Sequence, residues 1–134
     1  MSETTVQNMK PPQVWEFLQS HPDGVIIDVR TTCEHLFVGR PIGAILVPWK
    51  DGLPMQPNLH FVDQVKEHVP DLSTPVFLLC RSGHRSLEAG KVLAEIGYQT
   101  VVNIEEGFEG PLDENKHRGT LGGWRFHGLP WEQN

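Results

Sequence analysis

The sequence predicts an α/β fold: a mostly parallel five-stranded sheet with helices on both faces. Three observations point there. Short apolar runs alternate with stretches of helical spacing, the pattern of consecutive βαβ units. The run Val76–Leu79 contains no polar residue, as expected of a strand covered on both faces. After it, Ala89, Val92, Leu93 and Ile96 fall at i, i+3, i+4 and i+7, one face of a helix. Chain chirality makes the crossovers right-handed. Functional groups in such sheets gather at the carboxyl ends of the strands.

Val6–Asn8 reads as a short first strand. Pro11 and Pro12 suit a helix start, where a missing N–H costs nothing, and Val14, Phe17 and Leu18 give that helix its apolar face. It ends in the turn-rich run Ser20–Gly24. Val25–Val29 is a second buried strand and delivers Asp28 and Arg30 to a strand end. Thr31 and Glu34 fit a capping box, each closing on the other's backbone, so a helical turn follows. Gly39–Gly43 reads as a loop, Ala44–Val47 as a third strand and Pro48–Pro57, with three prolines, as irregular. Asn58 suits the cap of a helix running to about His68, with Leu59, Val62, Val65 and Val69 facing inward. Pro70–Thr74 turns into the strand at Val76. The following helix is expected over 86–96, with Gly97 as its left-handed cap. Thr100–Ile104 completes the sheet. From Glu105 the chain is glycine-rich, with Leu121–His127 a short final helix or turn.

The chemistry concentrates at Cys80, which ends the buried strand. The loop Arg81-Ser82-Gly83-His84-Arg85 carries a glycine and three side chains able to bear positive charge, and Ser86 opens the helix. Backbone N–H groups of such a loop, with those of a helix start, form a concave anion site that favours a thiolate. A helix terminus alone contributes only ~0.3–1 kcal/mol at an exposed site, so the loop and its arginines must supply the rest.

Cys80 through Ser86 resembles the active-site loop of rhodanese-type sulfurtransferases, C-x-x-G-x-[RT]. Asp28-Val29-Arg30, Glu34 and Gly39–Ala44 are similar to that family's first motif, and Gly128-Leu129-Pro130 after Trp124 to its closing signature. The resemblance spans roughly residues 5–131 in the family's order. It implies a rhodanese-like fold and a sulfurtransferase that moves a sulfane sulfur from a thiosulfate-like donor to cyanide or a thiol through a persulfide on Cys80. Arg81, Ser82, Gly83, His84, Arg85 and Ser86 would bind the substrate. Asp28, Arg30 and Glu34 would support the loop through a charge pair with Arg85. No metal or organic cofactor is implied; a protein could serve as sulfur acceptor. Against the family pattern, residues 110–122 read as an inserted loop ahead of Trp124.

Two other function classes compete. Cysteine phosphatases and arsenate reductases use C-x5-R, but here the arginine lies five residues after Cys80 and a serine stands sixth, which lacks a bidentate fork for phosphate. A rhodanese-like module that only binds a partner is the other alternative.

The 134 residues suit one domain with a sizeable core. A net charge of -6 argues against a nucleic-acid surface and makes the loop arginines a local positive spot. No apolar run suffices for a membrane span. Two cysteines are too few for a disulfide framework, and a reducing cytoplasm fits them. Cys33 reads as a small side chain packed beneath a helical turn, with a resolving thiol as the alternative. The seven histidines show no helical metal spacing. The tryptophans read as core and rim packing, with Trp49 and Trp124 as candidates for the site mouth.

Overall fold

The structure is a computed structural model and describes residues 5–52 and 55–134. Its centre is a sheet of five strands: β1 (Gln7–Met9), β2 (Val25–Asp28), β4 (Ile45–Leu46), β7 (Val76–Leu79) and β8 (Val101–Ile104). Their order across the sheet is β1-β8-β7-β2-β4, with every neighbouring pair parallel. The first strand starts one residue later than its apolar Val6 suggests, because Gln7, Asn8 and Met9 are the residues in register with Val102, Asn103 and Ile104.

β7 lies between β2 and β8, and all four of its side chains are fully buried. Alternation along it divides the core. Val76 and Leu78 join a cluster with Phe61 and Val65 of α2 (Phe61–His68) and Ala89 and Leu93 of α3 (His84–Glu95). Phe77 and Leu79 face the opposite side, where Val14 of α1 (Pro11–Ser20), Phe108 and Trp124 pack. Helices therefore cover both faces.

Several local expectations are corrected. Asn58 does not cap α2, which starts after His60; its amide donates to Pro48 O and Gln64 Oε1, tying the helix to the preceding turn. Leu59 is consequently 90% exposed rather than inward. Pro48–Pro57 holds a small antiparallel hairpin, β5 (Lys50–Asp51) with β6 (Gln56–Pro57), although its residues 53 and 54 lie outside the described set. The loop expected at Gly39–Gly43 contains β3 (Arg40–Pro41), which pairs with β9 (Trp131–Glu132). Neither could be read from apolar spacing, since each strand is two residues long, and the partner of β3 is distant in sequence. Residues 121–127 form turns. Trp124 is buried in the core with its Nε1 donating to Pro130 O, and Trp49 packs edge-on against Phe61. Among the described residues no helix is long and apolar enough to cross a membrane.

The segment expected as an insert leaves the core at Gly110 and returns at Gly122, where the two backbones meet so closely that a Cβ at Gly110 would lie 2.2 Å from Gly122 O. Between them, Asp113 holds the chain by accepting from the backbone N–H groups of Asn115 and His117 and from the Thr120 hydroxyl. These bonds are exposed and enclose little apolar surface. Amide exchange should therefore be fast across residues 111–120 and slow in β7 by several orders of magnitude. Protection in 111–120 comparable with that of β7 would contradict this account.

Candidate active site

Cys80 stands one residue past β7, at the carboxyl end of the sheet, and is 1% exposed. The chain then turns through Arg81 and Ser82. Gly83, with φ +111°, adopts a conformation that side-chain-bearing residues rarely take. That turn aims the Gly83 N–H at Cys80 Sγ, 3.0 Å away. α3 begins at His84, two residues before the apolar spacing suggests, so His84 and Arg85 belong to the helix's first turn. Arg81 and His84 are exposed, Ser82 and Gly83 half-buried.

Arg85 grips Glu34 with both prongs, Nη1 to Oε1 at 2.8 Å and Nη2 to Oε2 at 3.0 Å. Glu34 meanwhile closes the capping box: its Oε1 accepts from Thr31 N, and its own N–H donates to Thr31 Oγ1. Capping and loop support are one arrangement here. Burial pushes the Glu34 carboxyl up. Hydrogen bonds from Arg85 and Thr31, with the Arg85 charge, outweigh this and hold it below the usual carboxylate range. The Arg85 guanidinium is raised in turn, chiefly by its bond to Glu34.

Of the residues expected to support the loop, Glu34 makes the charge pair with Arg85, while Asp28 and Arg30 make no hydrogen bond to it among the described residues. They bind each other, Arg30 Nε and Nη2 donating to the two carboxylate oxygens at 2.8 and 2.7 Å. Arg30 also donates to Gly39 O, and His35 Nδ1 lies 2.7 Å from Asp28 Oδ2. Burial raises the Asp28 carboxyl, but its bonds with His35 and Arg30 win and hold it low. This buried group organises the π-helical turn Glu34–Val38, on which Glu34 sits.

Cys33 is exposed, not packed beneath its turn. It borders an open cavity of about 760 Å³ with Glu34, Met55, Arg81 and Arg85. Since Glu34 occupies Arg85, Arg81 is the cation of this wall that makes no ion pair among the described residues.

Two features escaped the sequence reading. The turn after β8 clasps the Cys80 loop from outside: Phe108 N donates to Cys80 O, and Glu109 N and Gly110 N to Arg81 O. Gly107 permits this approach, for a Cβ there would lie 2.4 Å from Cys80 O. Asn103, the single polar residue of β8, lies beneath the loop and accepts from Ser86 Oγ. The polar intrusion into VVNI was its only signal. Ser86, expected at the substrate face, is wholly buried, 3.2 Å from Cys80 Sγ. No cluster of histidine, cysteine, aspartate and glutamate among the described residues could hold a metal ion.

The site is thus a cysteine at the end of the central strand, in a loop closed by an arginine–glutamate pair, on a parallel sheet covered on both faces, and the chain as a whole is similar to known proteins. The model of the rhodanese-like domain matches residues 10–113. A Mycobacterium tuberculosis protein, Rv0390, has a crystal structure similar over 98% of this chain and 100% of its own, with a TM-score of 0.87 and 36% identity. The thiosulfate sulfurtransferase GlpE of Glaesserella parasuis is 30% identical over 108 residues, 81% of this chain and 88% of GlpE. RC0915 of Rickettsia conorii is 34% identical over 134 residues, 96% of this chain and 98% of that protein. The chain belongs to the rhodanese-like domain family.

Two predictions test this geometry. Because the Glu34 carboxyl is held low, the stability it contributes is present above about pH 4.3, the ordinary glutamate value, and is lost as pH falls through its depressed folded value. Glu34→Gln should therefore lower stability at pH 7 by about 1 kcal/mol, a few degrees in Tm, with the gap closing below about pH 4. A gap independent of pH would remove the ion pair as its cause. Gly107→Ala should cost more than about 1–2 kcal/mol, the left-handed strain alone, since the new methyl also strikes the Cys80 and Arg81 backbone. Denaturation midpoints measure this, and a Gly107→Ala variant of wild-type stability would be the contrary result.

Proposed function

We propose that the protein is a sulfurtransferase that works by double displacement on Cys80. The observation carrying this reading is the cradle of Cys80 Sγ: the Gly83 N–H is aimed at it, and the loop is closed at the fifth position by Arg85 held on Glu34. The Cys80 thiolate attacks the outer sulfur of thiosulfate. The donor's S–S bond breaks and sulfite leaves with its electron pair. A persulfide remains on Cys80, its anionic outer sulfur favoured by nearby N–H dipoles and Arg81. Cyanide or a thiol then attacks that sulfur, releasing thiocyanate or a new persulfide and restoring the thiolate. No metal or organic cofactor enters this scheme.

Arg81, exposed and without an ion pair among the described residues, suits capture of the donor's anionic end. Arg85, already paired, suits the upkeep of the loop. The cavity beside them exceeds the volume of thiosulfate several-fold, which leaves room for a larger thiol, including one on a protein. A reducing compartment such as the cytoplasm would keep both free cysteines usable. Phosphate chemistry is disfavoured because the sixth position after Cys80, where a phosphatase needs its arginine, is the buried Ser86 bonded to Asn103. A second reading, a module that only binds a partner, draws on the near-complete burial of Cys80.

Thiocyanate production from thiosulfate and cyanide, with an aryl phosphate run in parallel, separates these readings. Turnover is expected with thiosulfate alone; its absence would favour the binding module, and phosphate release would favour the phosphatase. Cys80→Ser should abolish turnover with an unchanged circular dichroism spectrum, while Cys33→Ser keeps most of it. Arg81→Ala should raise KM for thiosulfate by about tenfold to a hundredfold with kcat little altered, the loss of a contact felt equally by bound donor and transition state. A Cys33 variant that is inactive beside an active Cys80 variant would relocate the nucleophile.

A further inference from the structure

Behind Cys80 runs a line of polar groups that donor capture does not use. Cys80 Sγ is 3.2 Å from Ser86 Oγ; Ser86 donates to Asn103 Oδ1; Asn103 Nδ2 donates to Asn8 Oδ1 at 3.0 Å. Ser86 and Asn103 are 0% and 4% exposed, whereas Asn8 is at the surface. The other residues of β8, Val101, Val102 and Ile104, are wholly buried and apolar. An amide in such a place costs free energy unless bonded, so a leucine would serve packing better. What the amide bonds is therefore the reason for its presence.

The Ser86 hydroxyl has one hydrogen and two candidate acceptors, Asn103 Oδ1 and Cys80 Sγ. With Asn103 as oriented here, the hydrogen points to Asn103 Oδ1, and Ser86 Oγ turns a lone pair toward the sulfur. That suits a Cys80 thiol, whose S–H then donates to Ser86. It does not suit a sulfur that is gaining negative charge. An amide, however, carries donor and acceptor on one carbon. A half-turn of Asn103 presents Nδ2 to Ser86 Oγ and frees the serine hydrogen for Cys80 Sγ. Asn8, also an amide, turns in step at the exposed end. An aspartate at 103 could only accept, and a leucine could do neither.

We propose that Asn103 is a positioning residue: acting through Ser86, its amide orientation decides whether the Ser86 hydroxyl donates to the Cys80 sulfur. This rests on the persulfide chemistry proposed above. In sulfur discharge the acceptor's electron pair forms a bond to the outer sulfur, the S–S bond breaks, and its pair goes to Cys80 Sγ. The Ser86 hydrogen, swung to that sulfur, stabilises the departing thiolate; the proton itself stays on Ser86. In sulfur loading the thiolate spends that same pair on the donor, and a hydrogen bond to it slows the attack.

The test separates the two half-reactions by intact mass, following sulfur gain from thiosulfate and sulfur loss to cyanide. Asn103→Asp holds the serine hydrogen and should slow discharge about tenfold with loading little changed. Asn103→Leu leaves Cys80 Sγ as the acceptor and should slow loading while discharge is kept. Asn8→Asp, at the exposed end, pins Asn103 as it stands here and should resemble Asn103→Asp without disturbing the core. In a Ser86→Ala background Asn103→Asp should have no further effect on discharge. A merely structural role would move both half-reactions the same way in every variant, and that result, or an unchanged ratio, overturns the proposal while leaving the function intact. A wild-type protein that gains no sulfur from thiosulfate overturns the sulfurtransferase reading and this inference with it.

Discussion

The two-pronged contact between Arg85 and Glu34 is the constraint on which the site depends. It joins the start of α3 to the turn that leaves β2, two elements that share no backbone hydrogen bond among the described residues. One carboxylate serves both the arginine and the Thr31 cap. The turn bearing Glu34 is fixed in its turn by the buried Asp28–Arg30 pair and by His35. Two acidic residues in sequence thus do separate tasks. Asp28 builds a platform with its own arginine, and Glu34 delivers that platform to the loop. Burying such charges is costly unless they are fully bonded, and the geometry meets that condition for both carboxylates.

What was legible in the sequence was whatever depends on local pattern. The fully apolar Val76–Leu79, the 3.6-residue spacing from Ala89 and the Thr31–Glu34 box each announce an element within a few residues. The five strands follow, and so does a cysteine at a strand end. Contacts between distant segments were not legible. The partners β3 and β9 lie some ninety residues apart and are two residues each, too short for any period. Asn58 looked like a helix cap because its type suits one, yet its oxygen accepts from His60 N, in the turn that precedes the helix. Arg30 looked like a partner for the loop region but spends its charge on Asp28. Asn103 was visible only as a polar residue in an apolar strand, and its partner Asn8 comes from the opposite end of the chain.

The segment from Glu105 onward holds the site from outside. The guanidinium carbons of Arg30 and Arg125 sit 4.8 and 5.5 Å from the centre of the Phe108 ring, and Trp131 meets it edge-on. Glu106 accepts from Gly123 N and contacts His127, closing the segment on itself. Phe108 N is also a donor to Cys80 O, so the aromatic stack and the loop backbone are mechanically one piece.

The contrast in exposure between the two cysteines has a consequence for handling the protein in air. A disulfide brings its sulfurs to about 2.05 Å, with the two Cβ atoms some 3.8 Å apart. Cys80 is a buried residue, 1% exposed, whereas Cys33 stands open to such an approach. Covalent pairing of folded chains in air would therefore run through Cys33 rather than Cys80. A band of doubled mass on a non-reducing gel would then be a record of that surface thiol.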